Sequence, residues 1–360
     1  MIILFAVFVC LCLYGIQLKP ANGESYITDY MSVDKTSSIK GIFIIIVFFS
    51  HFNSYVEYTS AGDIAYLDAF SKIGQRMVTL FMFYSGYGVM ESIKKKQMTY
   101  VKKIPVNRFL GTLFRFDAAI LIFLVIYLAR GLELSAKQLV LSFVGWDSVG
   151  NSNWYIFAIL VCYAITYVAF MIFKDKGKYF PAAIAVTLGA MAYIVVLGGF
   201  GLKGAYWFDT IMLYPCGIFW SLLKDKLEKI ININDTMWLF SFVVATAAAY
   251  ITWQLKNDSL VFNLLGNMLF ALAVVLFTMR VSLNNKVLRW CGKNLFGLYI
   301  LQRIPMIIFR EVGLADCNIY LYFIICLVVT VIIAWLFEKY IGKLWKLIIS
   351  PRKKADVKSA

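Results

Sequence analysis

Apolar stretches of about 17–25 residues recur along the whole chain, separated by short polar or basic connections. A stretch of this length and composition can cross the hydrocarbon core of a bilayer as an α-helix. The pattern predicts an all-α, polytopic membrane protein with about 11 transmembrane helices. The predicted spans run near Ile2–Leu18, Lys40–Val56, Gly74–Ile93, Phe109–Ala129, Asn153–Phe173, Phe180–Phe200, Tyr206–Leu223, Thr236–Gln254, Leu260–Met279, Asn294–Phe309 and Tyr320–Ile341.

Two segments stand apart from this series. Leu134–Trp146 is apolar but too short to span a bilayer, and we interpret it as an interfacial or re-entrant piece. Asn294–Phe309 is the weakest predicted span, because it is short and carries Gln302, Arg303 and Pro305. The predicted number of spans therefore depends most on this late segment.

The order of these segments predicts four regions. Residues 1–20 form an extra N-terminal transmembrane helix, which we expect to be retained because it lacks the basic start of a secretory signal peptide. Residues 21–38 are interpreted as a polar linker and residues 39–343 as the membrane domain. Residues 344–360 form a basic cytoplasmic tail.

The distribution of lysine and arginine tests this topology, because short cytoplasmic loops collect both residues. Most of the chain's 35 basic residues fall in alternate connections, beginning with the connection after the third span. The C-terminus is therefore predicted to be cytoplasmic, and an odd number of spans places the N-terminus outside. We expect a multi-pass protein of the plasma (inner) membrane.

The composition supports the membrane class and limits the partners. Charged residues make up 15% of the chain, whereas a soluble domain carries about 25%. The formal net charge of +15 is explained by topology and by contact with anionic lipid headgroups, so we expect no nucleic-acid binding. The 7 cysteines form no CxxC motif and no cluster with histidine, so no disulfide scaffold and no metal site are predicted. The cations between Lys94 and Arg108 can dock a polyanion such as a phosphorylated cofactor, or can anchor the loop to lipid.

A single histidine, His51, lies inside a hydrophobic run that begins at Lys40. An ionisable group at membrane depth is costly and marks a functional candidate, and imidazole is well suited to proton transfer near neutral pH. Lys40 precedes His51 by eleven positions, about 16 Å along a helix and close to three turns. Both side chains therefore project from nearly the same face, where they can grip a long anionic ligand at one end and do chemistry at the other.

Simpler interpretations of the same residues stay open. Lys40 can be the positive flank of a transmembrane helix, and His51 can be a buried imidazole that bridges neighbouring helices. Ser85, beside Gly86 in a predicted span, is better explained as a small packing residue than as a nucleophile.

Four segments of the chain match a known set of motifs in order and spacing. They are Ser37-Ser-Ile-Lys40-Gly-Ile…His51-Phe, Leu80-Phe-Met-Phe-Tyr-Ser85-Gly86-Tyr87, Asn153-Trp154-Tyr155-Ile156-Phe157 and Gly292-Lys-Asn-Leu-Phe-Gly-Leu-Tyr299-Ile-Leu-Gln302. Together they resemble the acyltransferase-3 family of integral membrane acyltransferases, whose first core helix carries a basic residue, ten intervening residues and a histidine. The resemblance covers roughly Val33 to Tyr340 and implies a core of ten helices, with the first span as an addition.

The chain departs from the family pattern at three points. The basic residue of the first core helix is often arginine in the family, and here it is Lys40, which offers a point charge instead of a bidentate fork. Many members carry Arg-x-x-Arg after the second core helix, where this chain has Lys102-Lys103 and then Arg108. Where many members have a late histidine, this chain has Gln302 followed by Arg303.

The resemblance implies O-acylation, commonly acetylation, of a hydroxyl on a carbohydrate or other cell-envelope glycan. The implied co-substrate is acetyl-CoA or another acyl-CoA from the cytoplasm, with no metal. A thioester is already activated, so the protein must deprotonate a hydroxyl, hold two substrates in register and stabilise an oxyanion. His51 is then the general base, and Lys40, Lys103 and Arg108 bind the phosphates of coenzyme A.

The resemblance also implies roles for residues further along the chain. Arg303 would bind phosphate or stabilise the oxyanion. Asn153, Trp154 and Tyr155 start a helix at the outer surface, where a sugar can stack, although the interfacial aromatic belt also explains the aromatic pair. The alternative for Arg303 is an ion pair with an acid such as Glu91, Asp117 or Asp209.

Three other functional classes remain as alternatives. A multi-pass transporter or proton-coupled carrier of an envelope precursor also places ionisable residues in the membrane, but the chain has no detectable inverted repeat. The other large class of membrane O-acyltransferases carries its histidine late in the chain, whereas His51 is early. The third alternative is a non-catalytic membrane sensor with the same fold.

Overall fold

The computed structural model describes residues 1–18, 26–71 and 74–358, and almost all of its regular structure is helical. This confirms the all-α prediction. The helices are α1 Ile2–Leu13, α2 Val33–Phe52, α3 Ala61–Ser71, α4 Gly74–Lys96, α5 Met98–Val101, α6 Gly111–Ala129, α7 Ala136–Phe143, α8 Trp154–Ile172, α9 Tyr179–Ile194, α10 Leu213–Ile231, α11 Asp235–Gln254, α12 Leu260–Thr278, α13 Lys286–Lys293, α14 Leu295–Leu301, α15 Arg303–Glu311, α16 Leu314–Cys317 and α17 Ile319–Lys358. The strands are β1 Ile16–Leu18 and β2 Val281–Leu283.

Within the described residues, six helical stretches are long and apolar enough to cross a membrane. They are Pro105–Ala129, Trp154–Ile172, Tyr179–Gly199, Asp235–Gln254, Leu260–Thr278 and Ile319–Ile349. Helices α2, α4 and α10 are also long, but each carries charged residues, at one end in α2 and α10 and at both ends in α4. The chain is therefore a multi-pass membrane protein, and the number of 11 spans stays a prediction.

The N-terminal helix is shorter than the predicted span. α1 has 12 residues, about 18 Å of helix, which is less than the roughly 30 Å of a hydrocarbon core. Gly15 has a φ of 78°, a conformation that glycine adopts without strain, and it turns the chain out of the helix. β1 then pairs antiparallel with β2. The predicted boundary at residue 20 lies outside the described residues.

The helix that carries Lys40 and His51 begins earlier than expected. α2 starts at Val33, inside the stretch 21–38 interpreted as a linker, because the Ser32 hydroxyl caps it by accepting a hydrogen bond from the backbone N–H of Lys35. Just before it, Tyr30 is 1% exposed. The polar residues ahead of Lys40 are thus a packed part of the membrane domain.

The late segment Asn294–Phe309 is not one helix. α14 ends at Leu301 and α15 begins at Arg303, with Gln302 between them. Pro305 has no N–H for the carbonyl of Leu301, four residues earlier, so the helix cannot continue unbroken. The buried Gln302 side chain donates instead to the carbonyl of Tyr299 at 2.9 Å.

Two close helix crossings hold the bundle around α4 and α2. A Cβ atom at Gly86 would collide with the carbonyl oxygen of Tyr214, and one at Gly217 would collide with the carbonyl oxygen of Phe83. α4 and α10 therefore touch backbone to backbone. A second reciprocal pair, Gly41 and Gly292, brings α2 and α13 equally close. Small residues permit such contacts between helices in membranes.

Two further segments can be compared with the predicted spans: the one that follows α6, and the last helix. The region Leu134–Trp146 contains only the eight-residue α7, which agrees with its being too short to cross. α17 continues without a break past residue 344, where the basic tail was expected to begin.

Candidate active site

One face of α4 lines a cavity of about 830 Å³. Its lining residues recur every three or four positions along the helix, as expected for a single helical face. They are Phe81, Tyr84, Ser85, Tyr87, Gly88, Glu91, Ser92, Lys95 and Lys96. The span from Phe81 to Lys95 corresponds to about 20 Å of helix rise. Lys95 and Lys96 are exposed and Phe81 is buried, so the cavity opens at the end of the bundle that carries these lysines, named here the basic end.

The mouth of the cavity is cationic. Lys95, Lys96 and Lys224 line it together with Asp29 and Glu91. The charge of Glu91 is already compensated, because it accepts hydrogen bonds from Lys94 at 2.7 Å and from the Ser221 hydroxyl at 2.6 Å. Lys95 and Lys96 form no ion pair within the described part of the chain. The mouth can therefore hold an anionic ligand.

The structure brings Lys40 and Arg108 to the wall of this cavity. Lys40 is half-buried, and its Nζ lies 6.0 Å from the centre of the Tyr84 ring. Arg108 follows Pro105 in a π-helical turn, and its Nε donates to the Tyr100 hydroxyl at 2.8 Å. Both cations thus face the interior without a carboxylate partner among the described residues.

Lys103 lies elsewhere. Its side chain is exposed and it does not line the cavity, although it stands only five positions before Arg108. The π-helical turn from Pro105 to Leu110 separates the two residues, and Arg108 within it faces the cavity. Of the three cations predicted to act together, the structure assembles two.

The deep end of the cavity is a row of aromatic rings that leads to His51. The rings of Phe81 and Tyr155 are 6.2 Å apart, and Tyr155 and Tyr299 are 5.5 Å apart. Tyr299 then lies 6.4 Å from the His51 imidazole. His51 is therefore not on the cavity wall, and the two tyrosine rings stand between it and the open space.

Several polar atoms at this deep end lack partners. His51 Nδ1 and the hydroxyls of Tyr299 and Tyr84 are buried and make no hydrogen bond. Buried polar atoms are normally satisfied, and leaving one unpaired costs about 1–3 kcal/mol. An imidazole nitrogen without a partner can accept a hydrogen bond or a proton from a polar reactant.

Arg303 completes this cluster. Its Nε donates to the Tyr55 hydroxyl at 3.0 Å, and its guanidinium lies 5.6 Å from the centre of the Tyr55 ring. Glu91, one of the acids named above, pairs with Lys94. Within the described part of the chain, the contacts of the Arg303 guanidinium are with a tyrosine, and the ion-pair alternative stays untested.

The residues at the start of α8 divide between two environments. The side-chain amide of Asn153 donates to the carbonyl of Asp147 at 2.9 Å and so fixes the loop before the helix. Trp154 is half-buried, with its ring 6.3 Å from that of Tyr206. Tyr155 is buried and lines the cavity, with its ring 6.2 Å from that of Trp154. The structure therefore places Tyr155, but not Asn153 or Trp154, on the cavity wall.

The comparison with protein-family models decides the family. The model described as an acyltransferase domain matches residues 37–339. The chain belongs to the acyltransferase-3 family. It is a membrane acyltransferase, and the match includes Lys40, His51, Arg108 and Arg303. The comparisons with curated proteins and with solved structures gave no match.

The acyltransferase places Tyr299 beside His51 and Tyr55 beside Arg303, and sequence reasoning singled out neither tyrosine. Tyr299 is part of one of the four motifs, but nothing in the sequence distinguishes it from the many other aromatic residues of the predicted spans. Tyr55 lies in a 3-10 turn just after α2, where no pattern indicates a contact with Arg303, 248 positions later. Neither contact has a periodic signal in the sequence.

Proposed function

We propose that this acyltransferase moves an acyl group, most simply acetyl, from cytoplasmic acyl-CoA to a hydroxyl of a cell-surface or envelope carbohydrate. The supporting observation is the cavity itself, which begins with unpaired lysines at the basic end and ends at the aromatic rings in front of His51. By the positive-inside rule the basic end faces the cytoplasm of the plasma (inner) membrane, with the C-terminus inside and the N-terminus outside.

The donor fits the cavity in charge, shape and volume. Small-molecule sites usually enclose about 300–1,000 Å³, and this cavity of about 830 Å³ is at the upper part of that range. The phosphates of coenzyme A would bind Lys95, Lys96 and Arg108. Lys40 would contact the remaining part of the coenzyme A molecule deeper in the cavity. The thioester end would then reach Tyr155. Lys103, outside the cavity, is left with a role in contact with solvent or lipid.

The reaction needs one base and one oxyanion site. His51 takes the proton from the acceptor hydroxyl, whose oxygen forms a bond to the thioester carbonyl carbon. The carbonyl oxygen of the tetrahedral intermediate carries the negative charge, which the Tyr299 hydroxyl and Arg303 would stabilise. The C–S bond then breaks, the thiolate takes the proton back from His51, and the products are the ester and free coenzyme A. No metal is needed, because the thioester is already activated.

The tyrosine pair has a specific place in this scheme. Since the rings of Tyr155 and Tyr299 separate the cavity from His51, one of them must move aside for the acyl group to reach the base. In the resting position they keep water away from the thioester. The acceptor would approach from the opposite end, where Trp154 offers a ring for a sugar and Asn153 holds the loop beneath it.

A base-labile ester on envelope glycan is the direct test of this function. Glycan from cells with the wild-type protein, with His51→Ala and without the protein is compared for O-acyl groups released by mild alkali. We expect the ester in the wild type and its loss in both other strains. Equal acylation in all three would exclude the enzyme's proposed role. Accumulation of an envelope precursor with no new ester would instead support a transporter.

Filling the cavity should block the donor without disturbing the fold. A Cβ at Gly88 would meet no atom within 4 Å, so Gly88→Phe adds its ring to the cavity. We expect the KM for acyl-CoA to rise at least about tenfold, equivalent to about 1.4 kcal/mol of lost binding free energy. Steady-state kinetics on the purified enzyme measures this change.

The matched control for this substitution is Gly62→Phe. Gly62 also has no atom within 4 Å of a built Cβ, but it lies on α3, away from the cavity. Its KM should equal that of the wild type. Unchanged kinetics for Gly88→Phe would mean that the donor binds elsewhere.

A further inference from the structure

A second recess lies on the flank of the bundle and shares no residue with the acyl-CoA cavity. It is a groove of about 360 Å³ between α11, α12 and the first turn of α4. Its lining residues are Arg76, Phe242, Thr246, Ala249, Tyr250, Trp253, Phe270, Ala273, Val274 and Phe277. The proposed function makes no use of this groove.

One end of the groove holds an arginine that lacks an anion. The guanidinium of Arg76 lies 5.4 Å from the centre of the Trp253 ring, and its Nη2 is buried with no hydrogen-bond partner. Gly266 of α12 is a neighbour of this group, since a Cβ built there would stand at an ordinary contact distance of 3.7 Å from Nη2. An arginine at the edge of a bilayer with no acidic partner among the described residues is costly unless an external anion binds it.

Two further groups at this end favour an anion. The Nζ of Lys256 lies 5.8 Å from the centre of the same Trp253 ring, so both cations are close to the indole. The indole N–H of Trp253 is buried and donates to nothing. The threonine hydroxyls nearby are already used, since Thr246 donates to the carbonyl of Phe242 and Thr252 to that of Ala248. Arg76, Lys256 and the indole therefore supply the available donors.

The rest of the groove is apolar and faces the bilayer. From Trp253 to Phe242 it follows α11 for about 16 Å, away from the cationic end. Its far wall is formed by Phe270 and Phe277 of α12. The outer side of α11 is exposed, as Phe240 shows at 63%, so lipid chains border the groove directly.

We infer that this groove binds a membrane lipid with a phosphate headgroup. The phosphate lies between Arg76 and Lys256 and accepts a hydrogen bond from the Trp253 indole, and a fatty chain lies along the phenylalanine wall. Arginine suits a phosphate because its planar group donates two parallel hydrogen bonds. The site is at the end of the bundle opposite the basic end, since Arg76 is in the first turn of α4 and Lys94–Lys96 are in its last.

Native mass spectrometry of the purified full-length protein tests this site with three probes. Dimyristoyl phosphatidylglycerol has phosphate and chains, dimyristoylglycerol has chains alone, and glycerol 3-phosphate has phosphate alone. We expect only the first to be retained by the wild type. Arg76→Gln should weaken its retention at least about tenfold, the change expected for loss of a hydrogen bond to a charged group. Trp253→Phe keeps an aromatic ring and removes the N–H, and it should weaken lipid retention severalfold. This second variant tests the site if Arg76→Gln does not fold.

The matched control is Arg130→Gln, because Arg130 is also at the end opposite the basic end but pairs with Glu311 outside the groove. It should bind the lipid as the wild type does. If the wild type retained dimyristoylglycerol equally well, the groove would bind acyl chains without recognising phosphate, and the inference would be wrong. Equal binding of glycerol 3-phosphate, or wild-type lipid retention by both Arg76→Gln and Trp253→Phe, would also overturn the inference.

Discussion

His51→Gln is expected to lower kcat for acyl transfer by about 10²–10⁴-fold, the range in which a general base contributes to catalysis. Glutamine keeps a neutral polar side chain of similar size next to Tyr299, so the bundle should remain folded. It cannot accept and return a proton, which is the role proposed for the imidazole. Initial rates with the purified protein, acyl-CoA and acceptor glycan measure the change, and binding of coenzyme A should stay within twofold or so of the wild type.

Two comparisons separate a chemical role of His51 from a structural one. Tyr58→Phe removes a hydroxyl that donates to Asn53 at 2.6 Å, just beyond the same helix, and should leave kcat unchanged. His51→Ala should regain part of its activity when imidazole is added, since the small side chain leaves room for the base. A kcat for His51→Gln within tenfold of the wild type would show that another group accepts the proton.

Neutralising the cavity cations is expected to act on donor binding. Lys40→Met and Arg108→Met should each raise the KM for acyl-CoA by about tenfold or more, because each removes a charged contact from a partly desolvated wall. Both methionines keep the length of the apolar stem. The rise should be smaller at high salt, where the wild type itself binds the polyanion more weakly. Steady-state kinetics at two ionic strengths measures both effects.

Lys103→Met is the matched control for these substitutions. Lys103 belongs to the same basic segment, but its side chain is exposed and outside the cavity. Its KM should equal that of the wild type. Equal effects of Lys103→Met and Arg108→Met would mean that the segment attracts the donor by its overall charge, with no defined phosphate site.

The fold class follows from hydropathy alone, because long apolar stretches in a chain of this kind have few alternatives to membrane helices. The places where helices break or end cannot be predicted from hydropathy in the same way. The break at Gln302 depends on Pro305, a residue visible in the sequence, but the strand pairing that ends α1 near Gly15 depends on β2, more than 260 positions later. Such long-range contacts are invisible to a local pattern.

The candidate site was predictable where spacing on one helix decides it. Lys40 and His51 are on α2 as predicted, and Lys40 lines the cavity. The rest depends on contacts between helices that are distant in sequence. The tyrosine pair, the hydrogen bond from Arg303 to Tyr55 and the exclusion of Lys103 by a π turn leave no trace in periodicity or composition.

A cryo-electron microscopy structure of the protein with a non-hydrolysable acetyl-CoA analogue tests the central claim most directly. We expect density for the nucleotide near Lys95, Lys96 and Arg108, and density for the thioether end at Tyr155, with one tyrosine ring displaced from its place before His51. An analogue bound outside this cavity, or one whose acyl end points to the basic end and away from Tyr155, would show that the proposed donor site is wrong.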